Sequence, residues 1–237
     1  TTESVTTDAN GLASTTLTST TAGVATVTAT VNGASQSVDT TFNVVPAFTG
    51  VSVNGHTFGM AEGFPSTGFT GAKFALSMSG VASDYIWDNG GSSWVTVDDS
   101  GNVAFTAKGN STPVTITATP KGGGAPLTYT FSVNTWFINN GSTYMPWSDA
   151  SNWCAAQGLT QPTRGDMTMG GNIRRMDSLF SEWGRMDNYS GSGFVYNYYG
   201  TSEQNSSDYH YYVHLGNGVV NSYNDTYLSY VVCRQGL

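Results

Sequence analysis

Charge is scarce in this chain. Only 10% of its 237 residues are Asp, Glu, Lys or Arg, against roughly a quarter in an average globular protein. What charge there is runs acidic, with a formal net charge of −8 and a pI near 4.5. With no basic patch to displace counterions from phosphate, nucleic acid is excluded as a partner. The same acidity argues against docking on an anionic membrane surface. No apolar run approaches the ~20 residues that cross a bilayer as a helix, so no membrane insertion by this segment is expected. No secretory leader is visible, and an extracellular protein would carry its export signal and anchor elsewhere.

Cysteine and histidine are also rare. The two cysteines, Cys154 and Cys233, are too few for a structural zinc site, which usually takes four ligands. They either pair, closing a loop worth ~4–5 kcal/mol by chain entropy, or sit apart as two buried thiols. His210 and His214 lie in "YHYYVHL", which alternates as a strand does. They would share a face about 13 Å apart, too far for one metal ion, and are read as solvent-facing. The glycine-rich run Gly122 to Gly124 opens no helix and so makes no phosphate cradle. No nucleophile–base constellation emerges. The chain is read as a non-enzyme that needs no cofactor and no metal.

Thr, Ser, Gly and Asn fill the space that charge leaves, and they punctuate β-structure. Ala25, Val27, Ala29 and Val31 alternate with threonines, and Val38, Thr40, Phe42 and Val44 repeat the pattern. That is the period of a half-buried strand. Asn10-Gly11 and Asn32-Gly33 supply turns because both residue types tolerate positive φ. Residues 1–46 are about half of an immunoglobulin-like sandwich, so the first strands of that domain are expected upstream. A second all-β set spans 47–134, with Phe74, Leu76 and Met78, then Val103, Phe105 and Ala107, then Val114, Ile116 and Ala118, then Leu127, Tyr129, Phe131 and Val133 in alternation. Trp87 is read as its core aromatic.

Residues 135–237 differ in kind. All three lysines, Lys73, Lys108 and Lys121, precede residue 135, and all five arginines follow it. Trp136 to Tyr144 reads as a hairpin turning at Asn139-Asn140-Gly141. A helix is predicted from Ser148 as N-cap to Gly158 as C-terminal cap. A second is predicted over roughly 172–184, with Ile173, Met176, Phe180 and Trp183 on one face. Strand signals follow at 194–199, 209–215 and 228–234. Helices followed by strands make an α+β domain.

This order resembles a compact C-type-lectin-like domain. The upstream stretches "TDANGLASTTLTSTTAGVATVTATVNG" and "WVTVDDSGNVAFTAKGNSTPVTITATP" are similar to two subtypes of bacterial immunoglobulin-like repeat. Repeats leading to a terminal lectin-like domain resemble the intimin and invasin adhesins of enteric bacteria. The expected fold is therefore multidomain: a partial immunoglobulin-like domain (1–46), an immunoglobulin-like domain (47–134) and a C-type-lectin-like domain (135–237). The resemblance implies a disulfide between Cys154 and Cys233, tying the first helix to the last strand. It implies display on the bacterial surface through an outer-membrane anchor. It also implies a host-protein partner, either a receptor such as an integrin or a soluble protein such as immunoglobulin. Calcium-independent carbohydrate binding and a purely structural stalk cap are the alternatives.

Three features have the chemistry of candidate sites. Arg164-Gly165-Asp166 spells an integrin-binding tripeptide, but Thr163 and Asp166 have the spacing of a capping box that opens a helix. Asn224-Asp225 resembles the Asn-Asp pair that ligates calcium in sugar-binding lectins. The Glu-Pro-Asn or Gln-Pro-Asp segment that supplies further ligands there is missing, and calcium takes six to eight oxygens, so the pair is read as a turn. The stretch from Asp187 to Tyr230 is dense in Tyr, Asn, Ser and Gly, the composition of antibody paratopes. Candidate binding residues are Tyr189, Tyr198, His210, Tyr212, His214, Tyr223, Asn224 and Asp225, with Tyr211 inside, Tyr212 outside, and loops near 186–193, 200–208 and 216–226. Binding by this chain should survive EDTA; loss on chelation, restored by added calcium, would reverse the reading of Asn224-Asp225.

Overall fold

A computed structural model describes residues 3–19, 22–43, 45–141 and 143–237. Thr1 and Thr2 of the partial immunoglobulin-like domain, Thr20 and Thr21 of the first repeat-like stretch, Val44 of the second alternation and Ser142 of the expected hairpin lie outside the described residues. The chain divides into two compact units, Thr1–Val45 and Pro46–Leu237.

The first unit is built on an antiparallel hairpin of β1 (Gly23–Val31) and β2 (Ala34–Phe42). Asn32 and Gly33 turn it with φ of 50° and 79°, the positive pair that a two-residue hairpin loop demands. One face is a hydroxyl ladder in which Thr26 donates to Asp39 and Thr28 meets Ser37. The other carries Ala25, Val27, Ala29, Val31 and Val38, the alternation legible in the sequence.

The second unit opens with strands β3 (Ala47–Val53), β4 (His56–Phe58), β5 (Thr67–Gly68), β6 (Lys73–Ser79), β7 (Tyr85–Asp88), β8 (Val95–Val97), β9 (Asn102–Phe105), β10 (Val114–Pro120) and β11 (Leu127–Phe131). Strands β4-β3-β6-β9-β8 form one sheet and β11-β10-β7 another. Their inward residues, including Val51, Phe74, Leu76, Phe105, Ile116 and Phe131, share one buried cluster. The central indole of this sandwich is Trp94, against Phe105, Phe131 and Trp136. Trp87, expected there, is half-buried at the edge, where its Nε1 donates to the Ala82 carbonyl.

Downstream come β12 (Thr135–Asn139), α1 (Trp147–Ala156), α2 (Arg164–Met167), α3 (Leu179–Trp183), β13 (Tyr198–Ser206), β14 (Tyr209–His214), β15 (Val220–Asn224) and β16 (Val232–Gly236). Strand β12 makes no hairpin with the residues after it. It pairs antiparallel with β16 and parallel with β5, while Met145 bridges to Ser229. Gly68 of β5 lies so close to Trp136 that a Cβ there would sit 2.6 Å from the ring. Cys154 of α1 is disulfide-bonded to Cys233 of β16, with Cα atoms 5.5 Å apart, as the family resemblance implied.

The long second helix is absent among the described residues. Only Leu179–Trp183 is helical, and Asp177 has a φ of 72°. Tertiary bonds take precedence over the helical period here. The Arg174 guanidinium donates to the carbonyls of Val53, Asn54, Ser181 and Glu182, and the Asp177 N–H donates to the Glu182 carboxylate at 2.7 Å. Ile173 is left exposed rather than on a buried face.

Glu182 itself is fully buried. Its carboxylate accepts from the N–H and hydroxyl of both Ser66 and Thr67 as well as from Asp177. Trp183 beside it donates through Nε1 to Thr67 Oγ1 and packs on Phe64, Phe69, Phe105 and Tyr189. Burial pushes the Glu182 carboxyl pKa up, and the hydrogen bonds pull it part of the way back. Glu182→Ala would leave several buried donors unpaired and should cost on the order of 3 kcal/mol, read as a lower denaturation midpoint. A carboxyl pKa raised in the fold makes stability fall as pH rises from the unfolded value through the folded one. The stability gap between wild type and Glu182→Gln should therefore be widest at the acid end of that window and narrow above it, as followed by denaturant titration at several pH values.

Candidate binding surface

Strand β14 lies in the middle of the sheet β13-β14-β15. Its alternation was expected to sort residues into core and solvent, with Tyr211 in and His210, Tyr212 and His214 out. The structure buries the second group as well. His210, Tyr212 and His214 are buried at 6%, 0% and 9% exposure, whereas Tyr211 is half-buried under the Arg164 guanidinium, 4.0 Å from its ring. Both faces of the middle strand are covered. Val213 and Leu215 enter the core on one side, and an added aromatic layer covers the even-numbered positions on the other.

That layer has named parts. His210 stacks on Trp147 of α1 with ring centroids 3.7 Å apart, and its Nδ1 lies 2.6 Å from Asp225 Oδ1. Tyr212 is covered by Tyr223 and Tyr227, whose rings stack on each other at 4.3 Å and 15°. His214 meets the edges of Tyr196 and Tyr198. The Asn221 amide donates to the hydroxyls of Tyr198 and Tyr223, locking their positions. Tyr198, Tyr223 and Tyr227 are half-buried. Tyr144, Tyr196 and Leu228 are exposed at 51%, 49% and 56%, and Tyr209, at 43%, belongs with the odd-numbered positions on the opposite face of β14.

Of the candidate residues, Tyr198 and Tyr223 are thus on the outer face, and His210, Tyr212 and His214 lie directly beneath it. Tyr189 is elsewhere. It is buried against Phe69 and Trp183 with its hydroxyl on the Trp183 carbonyl, a core residue at the junction with the sandwich. Asn224 caps a turn by accepting from the Thr226 N–H and hydroxyl. Asp225 is tied to His210 through its side chain, and its N–H and carbonyl bond Asp208 and Trp147. No group of three or more metal-ligating side chains occurs among the described residues. The expected loop 200–208 is mostly strand β13, and 220–224 is strand β15. Trp147, Tyr144 and Tyr227 were missed. Trp147 sits at the start of α1, where an amphipathic pattern assigns it no partner, and only the fold brings it to His210.

The tripeptide is held in place. Thr163 and Asp166 form the capping box of α2 in both directions. Arg164 pairs with Glu203 at 2.9 Å, and Asp166 faces Arg234 at 3.4 Å.

A sandwich joined through a shared core to an α+β domain with a disulfide from first helix to last strand defines a class: an immunoglobulin-like module carrying a C-type-lectin-like one. Residues 49–131 match the family model for invasin, domain 4. The inverse autotransporter adhesin YeeJ of Escherichia coli K12 is 36% identical over 193 residues, 79% of this chain and 8% of that protein. An invasin of Yersinia enterocolitica is 30% identical over 169 residues, 70% of this chain and 20% of that protein. The chain belongs to the intimin/invasin family of adhesins. It spans a fifth or less of the length of these two relatives. Among solved structures, an invasin described as a bacterial integrin-binding protein superposes with a TM-score of 0.74 at 21% identity, over 98% of this chain and 54% of that one. A C-terminal intimin fragment in complex with the intimin-binding domain of its translocated receptor gives 0.61 at 19%, over 92% and 77%. At these identities the likeness is one of fold.

Burial lowers the His214 pKa, while its Nδ1 accepts the Gly216 N–H. A histidine pKa depressed in the fold contributes stability that is present above about 6.5 and is lost as pH falls through the folded value. An NMR titration should place the His214 midpoint below that of a free histidine. A midpoint at or above the free value would show a charged, solvated ring and a different packing of Tyr196 and Tyr198. Asp166→Ala should cost about 1 kcal/mol of stability through the lost cap, seen in the melting temperature.

Proposed function

We propose that this chain is the partner-binding end of a bacterial surface adhesin, docking to a host protein through the tyrosine face over β13, β14 and β15. Display at the cell surface would come from the remainder of a much longer protein, as in the relatives it matches in part. The observation that carries the reading is the aromatic layer itself. Tyr198, Tyr223 and Tyr227, clustered on one side of the sheet and half-exposed, with the first two held by Asn221, have the make-up of an interface centre. The shape supports a protein partner over a small ligand. Concavities of 630, 420 and 330 Å³ lie on the sandwich, whereas the tyrosines pave a face.

The test is adhesion to host cells and direct binding to host surface and serum proteins, measured with point variants. Tyr223→Ala and Tyr227→Ala should each lose roughly 2 kcal/mol of binding, about thirtyfold. Asp166→Ala should melt earlier and bind as wild type. If Asp166→Ala abolished binding at unchanged stability, the tripeptide would be the site. If glycan arrays bound the fragment through Tyr223 and host proteins did not, the ligand would be carbohydrate. If neither bound, the domain would be a structural cap.

A further inference from the structure

The tyrosine face is edged by two carboxylates, Asp225 and Asp208, for which no lysine or arginine ion pair occurs among the described residues. Asp225 leaves a third of its side chain exposed beside the Tyr223–Tyr227 stack. Its N–H is bonded to the carbonyl of Asp208, which is itself exposed. The nearest answer to Asp225 is the ring of His210. Residues 135–237 contain no lysine. Of the five arginines there, Arg164, Arg185 and Arg234 are committed to Glu203, Asp187 and Asp166, Arg174 is held by four carbonyls, and Arg175 is exposed beside Arg174, in the segment that holds the Glu182 site. The rings add to this charge. The face of an aromatic ring attracts a cation, and the pull grows when the cation is drawn from water. Here Arg185 already lies over Tyr196, 4.6 Å from its centroid, at one end of the same aromatic layer. Beneath the layer, the Tyr212 hydroxyl is buried without a partner among the described residues. Burial first and Asp225 second push its pKa up to about 12.

We infer that the tyrosine face receives a cationic side chain, arginine or lysine, presented by the partner protein, seated over Tyr223 and Tyr227 and answered by Asp225 and Asp208. The inference rests on the face being the docking surface and adds the chemistry of what docks. The two layers of recognition differ in role. Ring faces hold the cation's apolar stem and flat guanidinium or its ammonium. The carboxylates at the rim steer it in and set its orientation.

Two peptides of alternating glycine and arginine or glycine and citrulline separate charge from shape, because citrulline keeps the planar head and lacks the charge. With the whole fragment, amide NMR shifts on adding the arginine peptide should cluster at 196–198, 208–212 and 221–228. The citrulline peptide should bind about tenfold more weakly. Asp208→Asn, an exposed substitution that leaves packing intact, should weaken the arginine peptide severalfold, as should Tyr227→Ala at a checked melting temperature. Asp99→Asn on the sandwich should change nothing. Equal binding of the two peptides, shifts centred elsewhere, or an Asp208→Asn variant that binds as wild type would each overturn the inference. If host proteins still bound through Tyr223 while the peptides bound alike, the docking face would stand and its cation preference would fall. A glycan held on the same tyrosines in place of protein would overturn both.

Discussion

The second unit depends on one buried carboxylate. Glu182 gathers four donors from Ser66 and Thr67 and a fifth from Asp177, binding the end of a sandwich loop to a short helix more than a hundred residues away in sequence. A carboxylate in a dry site is costly unless its lone pairs are filled, so the site has one satisfactory geometry. Arg174 and Asn54 repeat the connection with neutral carbonyls as acceptors. Around these bonds Trp136 and Trp183 sit among the rings of the sandwich. The immunoglobulin-like and lectin-like halves therefore share one core, and the proposed binding face on one half is held in register by the other. Point substitution, not removal of residues 135–237, is the clean way to probe that face, since truncation would open the sandwich core to water.

Local chemistry was legible in the sequence wherever neighbours along the chain decide the outcome. Asn32-Gly33 turns a hairpin, Thr163 and Asp166 cap α2, and Asn224 closes a turn, because each needs only residues two to four positions away. The disulfide followed from family resemblance rather than from spacing. The misreadings share a cause. The 172–184 period was helical on paper, but Arg174 and Asp177 were needed at the Glu182 site, and their bonds forbid a continuous helix. Strand alternation at 210–215 told inside from outside only on the assumption that one face meets water. A second aromatic layer removed that assumption: it buries Tyr212, while Tyr211 is half-buried beneath Arg164.

The tyrosine face follows from the same layering. A middle strand covered on both sides is a stiff support, and its covering is made from side chains that are partly exposed themselves. Tyr198, Tyr223 and Tyr227 serve the domain's own packing with one ring face and leave the remainder to solvent. Such rings would lose little freedom on binding, because packing, and for Tyr198 and Tyr223 also the Asn221 amide, has already fixed them, which lowers the entropy cost of association.

The disulfide also decides how this face answers to tension. Tyr223 lies inside the covalent ring that Cys154 and Cys233 close. A pull between Tyr223 and Pro46 reaches Cys154 by two arms at once, and the short one, about ten residues through Cys233, spans at most about 35 Å when straight. The long arm of about seventy residues could otherwise pay out about 240 Å of slack. With the sulfurs joined, that slack is never released, and if the tyrosine face is the grip, a tether drawn taut by flow stays short there even when the sheet around it has come apart.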